Sequence, residues 1–335
     1  MLAAPPPIDP PSQQPESSWR ASLTAHIAYE RGAYERGTYE RKDYERGDYD
    51  NGRSFLKQWS HEGPLKLQRA FYPEGPTVCH LTLLHPPGGI VAGDNLSLNF
   101  QLSENAHSLI TTPSAGKFYH GDKNQRLQIQ NVLATLAANA ILEWLPQENI
   151  IFDGANAQLD NQFILEPDAL LTGWDINCLG RPAANERFEN GFFKQRLQLW
   201  RKKAAAKSDK PNNNHRPSSN NPPNSNNEAA IEPLYIENSF YQGGHKHLNS
   251  KSGLQGYPVV GTFFSTHKTE HLKQIRAAIT HKTCVSSASQ LPDVLVCRYL
   301  GHSTEQAKTL FTRVWDIVRQ EQLNRPACRP RIWNT

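Results

Sequence analysis

Two short blocks hold the residues best placed for chemistry. The first is His85-Pro86-Pro87-Gly88-Gly89-Ile90-Val91-Ala92-Gly93-Asp94. Glycine permits positive φ and close backbone approach, and proline fixes φ, so this composition imposes a tight path that one carboxylate, Asp94, closes. The second block is Leu109-Ile110-Thr111-Thr112-Pro113-Ser114-Ala115-Gly116-Lys117-Phe118-Tyr119. Gly116-Lys117 places a lysine after a glycine. A phosphate loop would need Ser or Thr next and a glycine upstream, and the chain has Phe118 and Thr111 there. Gly88, Gly89 and Gly93 do not match the dinucleotide spacing either. Ser114, His85 and Asp94 supply the residue types of a hydrolytic triad, but no Gly-x-Ser-x-Gly elbow holds them. Paired carboxylates for glycoside chemistry have no motif behind them. These failures argue against an enzyme.

Metal is the other chemistry to weigh. His245-Lys246-His247 sets two imidazoles two residues apart, which on a strand would face one way. The competing reading is an exposed polar loop with no further ligand. A carrier that releases its ion needs weaker, open donors, as conduction pathways do. Asp94, Glu143, Asp175, Cys178 and Glu186 offer such donors and are candidates because all lie in or beside the blocks that carry a family resemblance. Asp94 and Glu186 lie at turns fixed by Gly or Pro. Glu143, between Leu142 and Trp144, points opposite to both on a strand. Each acid could equally satisfy local backbone donors, and Arg181 and Arg331 could pair with them.

The elements that position these residues read mainly as β. Leu96-Ser97-Leu98-Asn99-Phe100-Gln101-Leu102 alternates strictly, as do Arg126-Leu127-Gln128-Ile129-Gln130 and Arg196-Leu197-Gln198-Leu199-Trp200. Glu104-Asn105-Ala106-His107 reads as a turn between strands. Short strands recur to about Phe264, and their spacing fits a sandwich and a β-helix equally. The end changes character. Ser303, with Gln306 three residues on, predicts a capping box, and Ala307, Leu310, Phe311, Val314, Ile317 and Val318 follow helical spacing. A shorter helix is expected over about Thr269 to Ile279, with Leu272, Ile275 and Ile279 inward.

Residues 1–18 read as a disordered N-terminus, and 19–335 as a single domain with two insertions. The stretch from Tyr29 to Arg53 repeats a Tyr/Glu/Arg/Gly unit every five residues. Five residues turn a helix by about 500° and alternate between strand faces, so the tyrosines share no face and a solvated loop is expected. From about 202 to 230 the chain is rich in Asn, Ser and Pro, which bury too little apolar area to order.

The net charge of +4 does not demand nucleic acid, and no run of 18 apolar residues predicts a membrane span. The start lacks a basic region followed by an apolar one, so it does not read as a secretory signal. Five scattered cysteines without Cys-x-x-Cys argue for reduced thiols in the cytoplasm.

Taken in order, the blocks resemble one family. Leu83 to Asp94, Leu109 to Tyr119, Leu142 to Ala155, Cys178 to Ala183, Arg298 to Gly301 and Pro330 to Thr335 are similar to the urease accessory protein family UreD, also called UreH. Family members commonly have Gly-Gly-Asp where this chain has Ala92-Gly93-Asp94, and Ala-Thr-Lys where it has Ala115-Gly116-Lys117; Asp94 and Lys117 are kept. The resemblance implies a β-helix-like body of stacked strands with two helices near the C-terminus. It also implies a non-catalytic scaffold that binds apo-urease together with UreF-like and UreG-like partners, the second a GTPase. Nickel would pass through it, with no tightly bound cofactor. Two other classes remain open on the residues alone. A β-helix enzyme acting on polysaccharide would need a groove with paired carboxylates. A module binding RNA or an acidic partner would need its lysines and tyrosines on one face.

Overall fold

A computed structural model describes residues 19–32, 52–203 and 230–334. In chain order the strands are β1 (Arg20–Glu30), β2 (Arg53–Glu62), β3 (Lys66–Leu67), β4 (Val78–Leu84), β5 (Asn95–Leu102), β6 (His107–Thr111), β7 (Gly116–Phe118), β8 (Gln128–Leu136), β9 (Ile141–Trp144), β10 (Asn149–Ile151), β11 (Asn156–Leu165), β12 (Leu170–Leu179), β13 (Phe192–Lys202), β14 (Ile231–Gln242), β15 (Val259–Ser265), β16 (Val285–Gln290) and β17 (Leu295–Gly301). Two α-helices follow late in the chain, α1 (Leu272–Ile279) and α2 (Thr304–Leu323).

The strands form two sheets. One runs β14-β13-β11-β8-β5-β1-β2 and the other β16-β17-β15-β12-β9-β6-β4-β3, with β10 joining β12 to β7. From β4 to β13 the chain crosses repeatedly between the sheets. Within each sheet, strands reached by these crossings are parallel, as β5 with β8 and β8 with β11, or β6 with β9 and β9 with β12. Antiparallel hairpins finish the first sheet, β1 with β2 on one side and β13 with β14 on the other. The body is mainly β, with both helices near the C-terminus, as expected.

Period-2 alternation decides what lies between the sheets. Leu96, Leu98, Phe100 and Leu102 on β5 all enter the inter-sheet core, as the sequence pattern predicts. They meet Cys79, Leu81, Leu142 and Trp144 from the opposite sheet. The other face of that second sheet packs under the helices. There Trp174, Ile176, Phe263 and Cys297 meet Ile275, Leu310, Phe311, Val314 and Trp315. Each large apolar side chain so covered contributes roughly 1.5–3 kcal/mol. Gly261 on β15 permits this contact: a Cβ there would stand 2.9 Å from Phe311.

Helix α2 starts at the expected cap, where Ser303 Oγ accepts from Gln306 N at 3.1 Å. Its inward stripe differs at one position. Trp315 is buried and Ile317 only half so, because the stripe turns toward Trp174. Helix α1 begins at Leu272, three residues later than expected. Thr269 Oγ1 and Glu270 N both donate to Glu321 instead, at 2.7 Å each, and so join the loop to α2.

Local chemistry moves other boundaries. β8 begins at Gln128 rather than Arg126, because Asp122 accepts from Arg126 N at 3.0 Å and from its guanidinium Nε at 2.6 Å. Tyr29 and Glu30 belong to β1 and Arg53 to β2, so strand enters the repeat from both ends. The rest of that repeat, 33–51, lies outside the described residues. So do 1–18, expected to be disordered, and 204–229, most of the expected Asn/Ser/Pro-rich insertion; Lys202 at its start belongs to β13.

Candidate functional site

The inter-sheet core is apolar except along one band. On β11 the inward row reads Ala157, Leu159, Asn161, Phe163, Leu165; on β13 it reads Phe193, Gln195, Leu197, Leu199. Facing them, β12 turns Asp175 and Asn177 inward between Leu171 and Leu179, and β10 adds Asn149. These polar side chains find one another. Asn161 Nδ2 donates to both oxygens of Asp175 at 3.0 Å, and Gln195 Nε2 to one of them at 3.1 Å. Asn177 Nδ2 donates to Gln195 Oε1 at 2.9 Å, and Asn149 Nδ2 to Asn177 Oδ1 at 3.0 Å. The chain of amides spans the interior from one sheet to the other.

Asp175 has only amide donors in this band. Burial pushes its carboxyl up to about 7, against the pull of Asn161 and Gln195, and the charge of Glu237 adds to the rise. Its carboxylate is poised between neutral and charged at ordinary pH, with no cation fixed beside it among the described residues.

A cavity of about 430 Å3 opens beside this band. Asp175, Asn161, Asn149, Gln130 and Trp144 line its inner part. Its outer part is built from the two blocks singled out in the sequence: His85, Pro86, Gly88, Gly89 and Ile90 from one, and Thr112 through Lys117 from the other. A bridge between Ile90 and Phe118 holds the blocks together, with Ile90 N on Lys117 O at 2.7 Å and Tyr119 N on Ile90 O at 3.0 Å. Gly88 has φ +78°, which a side chain would strain. Cavity-lining His85 Nε2, Trp144 Nε1 and Asn161 Oδ1 are buried without a protein partner among the described residues. Their bonding capacity is open to a hydrated occupant, and the volume holds roughly ten waters.

A second cavity of about 270 Å3 lies beyond the amide band. Asn177 and Gln195 line it, with Glu237, Tyr241, Thr262 and Arg298. Glu237 is paired with the Arg298 guanidinium and accepts from Tyr235 Oη at 2.9 Å. Asp175 and Asn149 therefore face one cavity, Asn177 and Gln195 the other, and hydrogen bonds join the two sets.

The remaining candidate residues sit elsewhere. Glu143 does point opposite to Leu142 and Trp144, under α2. It accepts from Arg319 Nε at 2.9 Å, Trp315 Nε1 at 2.7 Å and His107 Nε2 at 3.1 Å. Burial would raise it, but these partners hold it below the usual carboxylate range. Asp94 folds back on its own turn, accepting from Val91 N at 2.9 Å, and burial raises its carboxyl. Glu186 pairs with Arg181 at the turn that Gly180 opens, and accepts from Asp153 N at 3.1 Å. Cys178 faces the helices, and burial pushes its thiol up to about 12. His245 and His247 are exposed on a short 3-10 turn rather than a strand. Their rings lie 4.8 Å apart, and His245 Nδ1 accepts from His247 N. This is the exposed polar loop weighed against the ligand pair, and Gly244, at φ +66°, bends the chain there.

Asn149, Asn161, Asn177 and Gln195 were not among the sequence candidates. Their signal was present as a polar residue in an otherwise apolar inward row, at Asn161 between Leu159 and Phe163 and at Gln195 between Phe193 and Leu197.

No helix of the described residues is long and apolar enough to cross a membrane. The family profile described as UreD urease accessory protein matches residues 43–334. A protein of Dechloromonas aromatica named urease accessory protein UreD is 36% identical, with 98% of each chain covered. A protein of the same name from Methylobacillus flagellatus is 38% identical over 85% of this chain and 90% of its own length. One from Alcanivorax borkumensis, also so named, is 38% identical over 84% and 86%. Matches of this length and identity make the chain a member of the UreD family of urease accessory proteins.

Proposed function

We propose that this chain is a non-catalytic urease maturation factor that acts in the cytoplasm. It binds apo-urease in company with UreF-like and UreG-like partners, and it conducts nickel toward the urease active site. The observation that carries the second part is the convergence of both sequence blocks on one cavity that ends at Asp175. GTP hydrolysis belongs to the partner, in keeping with the phosphate-loop pattern that fails at Thr111 and Phe118.

In this reading Ni2+ enters between the His85–Asp94 turn and the Thr112–Lys117 segment. It then crosses the amide band into the second cavity. Carboxylate and amide oxygens suit a hard to borderline divalent ion, and waters in the cavity keep part of its shell. Asp175 supplies the one negative charge on the band itself. Because burial opposes that charge, a passing cation is attracted and the empty site tends to take up a proton, so the ion is not trapped. Asp94 shapes the mouth. Glu143, Glu186 and Cys178 serve packing and local pairing.

The test is Asp175→Asn, co-expressed with urease and the partner chaperones. Urease should emerge with reduced nickel and activity, while the variant melts no lower than the unaltered chain and still captures a UreF-like partner. Full nickel loading would end the transit role of Asp175. Loss of capture by the unaltered chain would end the scaffold reading.

A further inference from the structure

Beneath the C-terminal end of α2 lies a group of donors that the inter-sheet path does not use. Glu74 precedes β4, His80 lies on β4, and Cys328 lies in the tail after α2. Each offers one ligand atom, and these atoms all fall within 4.8 Å of one another. We propose that Glu74, His80 and Cys328 form a binding site for a borderline divalent cation, of the Ni2+, Zn2+ or Co2+ class, that pins the C-terminal tail to β4.

The donor set is the first argument. One imidazole, one carboxylate and one thiolate together favour late first-row ions over Mg2+ or Ca2+. Geometry is the second. His80 Nε2 already meets Glu74 Oε1 at 2.7 Å. Two ligands about 2.1 Å from one ion stand roughly 3.0–3.4 Å apart, so insertion asks for a small separation. The bonds to Glu74 from His80 Nε2 and from Arg319 Nη2, at 2.7 Å each, both fall on Oε1, which leaves Oε2 to turn toward an ion. Arg319 keeps its other anchors, Glu143 at 2.9 Å and Pro326 O at 2.6 Å.

Preorganisation is the third argument. Contacts on both sides of Cys328 fix it. Arg325 Nη1 donates to Thr77 at 3.2 Å, and Ala327 N to Asp316 at 3.0 Å. Beyond it Trp333 packs on Trp174 and Trp315 and donates to Thr111 Oγ1 at 2.8 Å. Charge is the fourth. Two carboxylates, Glu74 and Glu143, share the single guanidinium of Arg319. With His80 taken as a ligand, His107 beside Glu143 is the other basic side chain on the pair, and a bound cation would balance the remaining charge. Binding is proton exchange with no electron transfer: the Cys328 S–H bond breaks, its proton leaves to solvent, and sulfur, nitrogen and oxygen lone pairs coordinate the ion. Because binding releases that proton, affinity rises with pH.

The site is separate from the proposed nickel path, and its test needs no urease. The full chain, stripped of metal, is titrated with Co2+ and followed by absorption. One ion per chain is expected, with a thiolate-to-cobalt charge-transfer band that Cys328→Ser removes and Cys178→Ser leaves. His80→Gln should weaken binding about tenfold or more. In the unaltered protein, Ni2+ or Zn2+ should displace cobalt and shield Cys328 from alkylation. This last readout stands even if a variant folds poorly. Absence of the band, its survival in Cys328→Ser, or unchanged alkylation of Cys328 would each overturn the proposal.

Discussion

Asp175 and Glu143 are both buried carboxylates on strands of the same sheet, at 2% relative exposure each, yet they live in opposite electrostatic settings. Asp175 faces the other sheet, bordered by a cavity and held by amides alone. Glu143 faces the helices, held by a guanidinium, an indole and an imidazole. Burial opposes charge at both. Amide donors do not offset that cost, so Asp175 rises to about 7, whereas the partners of Glu143 outweigh it and hold it low. The lesson is that burial alone does not set the charge of an acid; the groups that face it decide.

The largest expected effect breaks the helix side altogether. Cutting the chain before Ser303 removes Leu310, Phe311, Val314, Trp315 and Val318 from one face of the second sheet. At roughly 1.5–3 kcal/mol for each, the loss exceeds what a domain of ordinary stability has to spare, and no cooperative melt should be seen. Next, Arg319→Ala strands Glu143 and Glu74 without their cation and should cost about 3–5 kcal/mol in denaturant unfolding. The pair Arg319→Met with Glu143→Leu should recover part of that, because the Glu143 charge is then gone and Glu74 keeps His80 at 2.7 Å. Failure to recover would mean that Arg319 acts through its tail contact at Pro326 instead.

The third prediction turns on sign. Asp175 is raised from its ordinary 3.8 to about 7, so the folded chain holds a proton that the unfolded chain releases. Stability should fall as pH rises across that window and then level off. Asp175→Asn removes the dependence and should be the more stable form above pH 7, by about 2–4 kcal/mol. Glu74 runs the other way. Held at about 2 against an ordinary 4.5, it stabilises above that range and the contribution fades as pH falls toward 2. Melting curves at several pH values separate the two. The smallest effect belongs to Glu186→Ala, whose partner Arg181 is exposed; its melting temperature should match the unaltered chain.

The strands were legible in the sequence wherever one side chain in two was apolar, as in β5, and α2 was legible from its cap and stripe. Long motifs located the mouth of the cavity through His85–Asp94 and Thr112–Lys117. The amide band was harder to see because its members come from β10, β11, β12 and β13 and meet only across the sheets. Alternation on β12 nevertheless separates Asp175 from Cys178, since positions three apart on a strand face opposite ways. Turn position, which singled out Asp94 and Glu186, reports on backbone geometry more than on what a side chain faces. Cys328 and Glu74 are joined by no spacing rule, since α2 brings them together from opposite ends of the chain.

One feature of the first sheet has a practical use. β1 and β13 run parallel through the intervening strands, so the chain leaves both by the same rim, after Glu30 and after Lys202. It returns beside its departure point each time, with Glu30 opposite Arg53 and Lys202 opposite Ile231. The His85–Asp94 turn enters β5 from the other rim. Foreign sequence spliced at Gly32 or Lys203 would start from that rim, away from the His85–Asp94 turn. Loop closure costs only about 0.6 kcal/mol per doubling of length, so a fluorescent reporter or affinity handle there would load the fold lightly. These two seams are where the molecule can be tethered, tracked or fused while the cavity between the sheets stays clear.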